Sequence, residues 1–289
     1  MDKEALLKRI RTIELQTRGM TEQVFAGQYQ SAFKGRGMSF SEVRSYQVGD
    51  DVRTIDWNVT ARFREPFVKI FEEERELTVL LVIDVSGSMY FGQGKDSKIS
   101  LAVELAATLA FSAAKKNDKV GALFVSDEVE YYVPPKKGFG HVHFLLRKLI
   151  NLEPKSAGTN LDTGLRYARN IFKQRSICFV ISDFSQLELS KEAFANTARK
   201  HDLVALGVSD PGEGILPDVG FVRWINAETG TTNWIDSSSA QVRRDYEKQF
   251  ALRKEKNELF FQQLGLDAAF FEVGDHVYLP LLQLFKRRK

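Results

Sequence analysis

The stretch from Leu77 to Ile83, apolar except for Thr78 and ending at Asp84, constrains this chain more than any other feature. A run of that length suits a parallel strand covered on both faces. It is far too short to cross a bilayer. Behind it the pattern alternates. Leu101–Ala114 reads as a helix and Val120–Val125 as a strand, with Val129–Val133 as its hairpin partner. His143–Leu152 and Leu161–Phe172 read as helices, Ser176–Ile181 as a strand running into Ser182 and Asp183, Lys191–Lys200 as a helix and Leu203–Val208 as a strand. Such alternation predicts an α/β fold with an open, mostly parallel sheet flanked by helices. Functional groups in such sheets gather beyond the carboxyl ends of the strands, where Asp84 and Asp183 fall.

The flanks read differently. Residues 2–19 have helical spacing. From Phe25 to Glu76 the chain is punctuated by glycine and dense in aromatic and charged side chains, which predicts loops and short strands such as Phe67–Phe71. Beyond the alternating region, Val219–Ile225 and Thr231–Ile235 read as strands. Asp236 or Ser237 is a candidate cap for a long helix reaching Leu264, followed by a strand at Ala268–Val273 and a closing helix at Tyr278–Phe285. The expected division is 1–76 for an N-terminal helix and β/loop-rich segment, 77–236 for the core, and 237–289 for elements packed on it.

Composition excludes several roles. Of 289 residues, 43% are hydrophobic and 27% charged, with a net charge of only +3, as in ordinary globular proteins. Arg243, Arg244, Lys248, Arg253, Lys254 and Lys256 alternate with Asp245, Glu247, Glu255 and Glu258, which argues for a solvated helix face and against a nucleic-acid stripe. Cys178 is the single cysteine, so no internal disulfide can form, and a reducing compartment is expected. The first residues lack the apolar core of a signal peptide, which leads us to expect a cytoplasmic chain without a transmembrane segment; peripheral membrane contact stays open. His141 and His143 lie two apart with no cysteine or acid to complete a zinc set, and read as surface or helix-start residues.

The chemistry concentrates in the loop Asp84-Val85-Ser86-Gly87-Ser88. Residues two apart in a tight loop can turn their oxygens toward one point. One carboxylate and two hydroxyls form a hard donor set suited to Mg²⁺ or Mn²⁺, with Ca²⁺ a poorer fit and Zn²⁺ disfavoured. Those three groups bind weakly alone, so other loops must contribute. Thr159 stands before one helix, and Asp183 follows a strand. An ion held this way keeps a coordination position for a carboxylate from another protein.

Asp84-x-Ser86-x-Ser88, followed by Thr159 and Asp183, resembles the metal-ion-dependent adhesion site of the von Willebrand factor A fold, over roughly residues 77–210. The resemblance implies a non-enzymatic interaction module that grips acidic residues through the ion. A metal-dependent phosphohydrolase is the alternative, although a haloacid-dehalogenase-like phosphatase usually places a second Asp where Ser86 stands. A metal-free structural scaffold is the second alternative. Gly92-Gln93-Gly94-Lys95 lacks the spacing of a P-loop, and Asp96 stands where Ser or Thr is needed.

A second block lies upstream. Glu42, Arg44, Gly49, Asp50, Arg53, Ile55, Asp56 and Trp57 fit an E-x-R-x-Y-x-x-G-D-x-x-R-x-I-D-W run, with the acidic junction Glu72 to Glu76 before the first core strand. This block resembles a bacterial family of unknown function encoded beside MoxR-type AAA+ ATPases. The resemblance implies an adaptor working with a MoxR-type ATPase or with other A-domain proteins. For Glu42, Arg44, Asp50, Arg53, Asp56 and Trp57 themselves two readings stand. In one, Arg–carboxylate pairs pin the segment while Trp57 fills a pocket. In the other, these residues face a partner.

Overall fold

In the computed structural model of the chain, residues 3–20, 39–63, 65–72, 77–93, 96–185, 189–225 and 230–288 are described. The loop expected over 25–38, most of the acidic junction (residues 73–76) and Gly94-Lys95 lie outside them. Chain order runs α1 (Lys3–Met20), β1 (Ser39–Ser45), α2 (Trp57–Phe63), β2 (Phe67–Glu72), β3 (Thr78–Asp84), α3 (Lys98–Lys115), β4 (Lys119–Val125), β5 (Val129–Lys136) and α4 (Phe139–Ile150). It continues through α5 (Leu161–Ile171), β6 (Ile177–Ser182), α6 (Lys191–Lys200), β7 (Asp202–Ser209), β8 (Phe221–Ile225), β9 (Thr232–Asp236), α7 (Ala240–Gln263), β10 (Asp267–Glu272) and α8 (Tyr278–Arg287).

The alternating region folds into one six-stranded sheet in the order β10-β7-β6-β3-β4-β5. Every neighbouring pair is parallel except β4–β5, which is antiparallel at one edge. Strand β3 sits centrally because both its faces are apolar. Val79, Leu81 and Ile83 enter the core shared with α1, α3, α4 and α8, and Leu80 and Val82 enter the core shared with α5, α6 and α7. Strand β6 divides the same way, with Ile177, Phe179 and Ile181 on one side and Cys178 and Val180 on the other. Each such side chain taken from water contributes about 1.5–3 kcal/mol. From β3 the chain winds outward to β4 and β5, then returns to β6 beside β3 and winds the other way. The point where direction reverses therefore lies between β3 and β6, where open α/β sheets form their crevice.

Helix α3 is buried along nearly its whole length because it lies between the sheet and α1, where Leu6, Ile10 and Ile13 cover it. Its alanines at 102, 106, 107, 110 and 113 let the neighbours approach closely. Ser97 caps it by accepting from the Ser100 N–H, and the helix starts at Lys98, one turn earlier than the apolar pattern suggests. Helix α4 likewise starts early, at Phe139, because Gly138 takes a φ of 93° that turns the chain into it. His141 and His143 lie on this helix, reaching the Val120 carbonyl and Glu14 respectively.

The cap of α7 is a correction. Ser239 holds the N-cap position, and neither Asp236 nor Ser237 serves. Asp236 accepts instead from the Ser238 amide and hydroxyl, and Ser237 donates to the Gly220 carbonyl at 2.6 Å, closing the base of the β8–β9 hairpin. Among the described residues no helix is long and apolar enough to cross a membrane.

Candidate functional site

Because β3 and β6 are parallel neighbours, Asp84 and Asp183 emerge at the same end of the sheet, on the two strands that flank its switch point. Asp84 is fully buried. Its Oδ1 accepts from the Ser86 N–H at 2.9 Å, and its Oδ2 accepts from the Ser182 hydroxyl at 2.5 Å. Burial, reinforced by the neighbouring Asp183 charge, raises the Asp84 carboxyl above the usual carboxylate range despite those hydrogen bonds. The Ser86 and Ser88 hydroxyl oxygens lie 3.2 Å apart, and Ser185 donates to Ser88 at 3.3 Å. Asp183 accepts from the Ser185 N–H at 3.0 Å, and the Ser88 hydroxyl also bonds to it. The Gly87 N–H donates to the Ala157 carbonyl at 2.8 Å, tying the loop that carries half-buried Thr159 against the motif. The structure thus brings Asp84, Ser86, Ser88 and Asp183 together, with the Thr159 loop alongside.

A charged residue absent from the sequence reading dominates the site. Lys98, at the first position of α3, is 1% exposed, and its Nζ lies 2.5 Å from Asp183 Oδ2 and 2.5 Å from Glu213 Oε1. A cation at a helix N-terminus opposes the helix dipole, and a buried one must be paired. Burial pulls the Lys98 ammonium down, but the two carboxylates outweigh it and hold the ammonium above its usual range. Burial likewise works to raise Asp183, yet the Lys98 charge keeps that carboxyl low; Glu213, also desolvated, stays raised.

The turn after Asp183 is held under strain. Phe184 has a φ of 47°, a conformation costly for a bulky L residue. Its ring is buried against Phe194 and Phe261, with centroids 6.5 and 4.8 Å away, and its carbonyl accepts from Asn257 Nδ2 of α7 at 3.0 Å. The Ser182 hydroxyl, which donates to Asp84, accepts from the Phe184 N–H at 3.0 Å. Packing on α7 therefore fixes where Asp183 and Ser185 stand.

The donor set fits a small hard cation. Neighbouring oxygens of an octahedral ion with bonds near ~2.1 Å lie about 3.0 Å apart, close to the 3.2 Å between the Ser86 and Ser88 oxygens. Among the described residues no group of three or more His, Cys, Asp or Glu side chains is arranged to hold a metal, so an ion here would depend on hydroxyls. Asp84, Ser86, Ser88 and Thr159 would hold it, with Asp183 contributing only as far as Lys98 releases it.

The upstream candidates lie in the β1–β2 hairpin and the turn joining its strands. Arg44 on β1 donates through two nitrogens to Asp50, at 2.8 and 2.7 Å, and the Gln47 N–H also reaches Asp50. The Arg44 hydrogen bond first, then that backbone donor, lowers the Asp50 carboxyl. Asp56 accepts from the Asn58 and Val59 amides at the start of α2, with Lys69 at 3.6 Å. Glu42 and Arg53 are exposed. Of the two readings for Trp57, the pocket-filling one does not hold: the residue is 69% exposed, because α2 buries none of its residues and offers the ring no pocket.

Sequence reasoning missed Lys98, Ser182, Ser185 and Glu213. Lys98 left a trace, being a lysine beside the capping Ser97 at the head of an alanine-rich helix. Glu213 left none, since only the return of the chain after β7 brings it near.

Comparison with known proteins places the chain. Residues 42–256 match the family described as "Protein of unknown function DUF58". An uncharacterised protein of Mycobacterium tuberculosis is 34% identical over 232 residues, covering 80% of this chain and 73% of that protein. An uncharacterised protein of Mycobacterium avium is 30% identical over 124 residues, 42% of this chain and 73% of that one. Among solved structures, conserved hypothetical protein BatB from Bacteroides thetaiotaomicron is similar with a TM-score of 0.48 at 17% identity, over 73% of this chain and 98% of that one. The SpRpn10 VWA domain is similar with a TM-score of 0.38 at 10% identity, over 74% and 95%. The sheet order itself carries the von Willebrand factor A-like fold: parallel strands with one antiparallel edge, helices on both faces, and the serine-rich loop after the central strand.

Proposed function

We propose, from the premise that the chain belongs to the DUF58 family of proteins of unknown function, that it is a non-enzymatic interaction module whose Asp84–Ser88 loop grips partners through a divalent ion. The observation that carries this reading is the convergence of the Ser86 and Ser88 hydroxyls, 3.2 Å apart, with two aspartates at the switch point of the sheet. Bound there, Mg²⁺ or Mn²⁺ supplies a positive charge with a position for a carboxylate from outside. Ser86, Ser88 and Thr159 give neutral oxygens, and Asp84 gives the one carboxylate not paired with an ammonium. The ion's charge is then only partly cancelled, which favours an acidic residue of another protein. The partner we propose is a MoxR-type AAA+ ATPase, or another A-domain protein, presenting Glu or Asp.

Titration calorimetry with Mg²⁺ and Mn²⁺ tests the ion. Binding by the natural chain and none by Asp84→Ala is expected; equal heats from both reject the site. Capture of a MoxR-like ATPase with and without EDTA tests the bridge, and chelator-insensitive capture rejects a metal-mediated contact while leaving an adaptor. A metal-free scaffold is the second reading, favoured by the ammonium already seated on Asp183. The same calorimetry decides between them.

A further inference from the structure

We infer that Lys98 is a resident cation that competes with the divalent ion for Asp183, and so sets how tightly the site holds that ion. This rests on the reading of the Asp84–Ser88 loop as a metal site. Three observations lead to it. Lys98 Nζ lies 2.5 Å from Asp183 Oδ2, occupying the carboxylate oxygen that is not already bonded to the Ser185 amide. The ammonium is 1% exposed, so water does not screen it from the site. Its location at the start of α3 is opposed by the helix dipole, so helix formation does not explain it.

Charge counting gives the pairing a consequence. Of the two aspartates at the site, Asp84 has no ammonium partner, whereas Asp183 already faces Lys98. Asp183 cannot give its full charge to both cations. While Lys98 holds it, an ion at Ser86 and Ser88 meets one unshared carboxylate. It binds more weakly and keeps more of its charge for an incoming carboxylate. Glu213, the second anchor, draws the ammonium partly away from Asp183.

The test is Mn²⁺ titration followed by the electron paramagnetic resonance of free Mn²⁺, using the full chain, Lys98→Met, Asp183→Asn and the double variant. Opposite charges in contact typically shift a proton equilibrium by one to three units. Lys98→Met is accordingly expected to bind Mn²⁺ about tenfold or more tightly, and to gain nothing in the Asp183→Asn background. Unchanged or weaker binding overturns the inference. So does an equal gain in both backgrounds, which would mean a general field with no competition for Asp183. Should Lys98→Met not fold, Glu213→Gln leaves the ammonium wholly on Asp183 and is expected to weaken Mn²⁺ binding several-fold; unaltered affinity there overturns it equally. If the natural chain binds no Mn²⁺ but Lys98→Met does, the competition stands while the proposed function falls. If neither binds, both fall.

Discussion

Arg44 with Asp50 in the N-terminal hairpin, and Lys98 with Asp183 at the carboxyl edge of the sheet, are both pairs of one basic and one acidic side chain at hydrogen-bond distance. Their surroundings differ. The first pair is 39% and 21% exposed, the second 1% and 3%. Water shares the Arg44 charge, so the pair orients a turn and carries little energy. Around Lys98 desolvation is severe, and each partner must be satisfied by the other. Pairing chemistry alone thus says little about importance. What makes the Lys98 pair consequential is its burial at the sheet edge, where water is excluded and the only compensation comes from protein groups such as Glu213 and Ser185.

The largest expected effect tests this contrast directly. Lys98→Ala leaves the Asp183 carboxylate, 3% exposed, without its cation and half-buried Glu213 with only the Arg253 charge nearby, and should cost about 3–5 kcal/mol in urea denaturation without added metal. Arg44→Ala should leave the denaturation midpoint unmoved, since water replaces the guanidinium. Equal losses from the two variants would mean that burial does not separate the pairs.

A buried polar group at the opposite end of the sheet sharpens the comparison. His201, just before β7, has no exposed surface. Its Nδ1 accepts from the Ser176 N–H at 3.3 Å, and its Nε2 has no hydrogen-bond partner. Burial first, then the charges of Lys200 and Arg175, push the imidazole down to about 4 from an ordinary 6.5. A histidine lowered on folding contributes stability that is complete above the unfolded value and lost as pH falls toward the folded one. Metal-free protein should therefore lose about 2 kcal/mol between pH 6.5 and 4 through this residue. His201→Gln should flatten that part of the profile, read as urea midpoint against pH. An identical slope in the variant would show that His201 is solvated. Lys98 differs in having carboxylates to keep it charged; His201 has none and stays neutral.

Much of the fold was legible in the sequence because its strands are apolar on both faces. The runs from Leu77 and Ser176 suit parallel strands covered on both faces, and the acids closing them marked the carboxyl edge. The motif loop was legible for the same reason, since Asp84, Ser86 and Ser88 are close in sequence. Lys98 and Glu213 were not, because their meeting depends on how α3 and the segment after β7 pack, which no local pattern encodes. The early starts of α3 and α4 were hidden by polar or glycine residues that tertiary burial overrides. For Trp57 the sequence left a pocket and a partner-facing surface open; α2, with only two turns and no covering layer, offers no pocket.

As at Arg44, next to no stability effect is expected at Trp57, and it bears on what the N-terminal hairpin is for. Val48, Val52, Trp57 and Phe63 are all exposed there, with the Trp57 ring 69% accessible. Removing a packed tryptophan costs about 3–5 kcal/mol, whereas removing an exposed one stays within about 0.5 kcal/mol. Trp57→Ala should therefore leave the urea midpoint, followed by circular dichroism, where it was. If the hairpin faces a partner, the same variant should weaken capture of a MoxR-like ATPase while Mn²⁺ affinity holds. A lowered midpoint would place the ring in a pocket after all, and erase the distinction between a solvated N-terminal hairpin and a desolvated sheet edge.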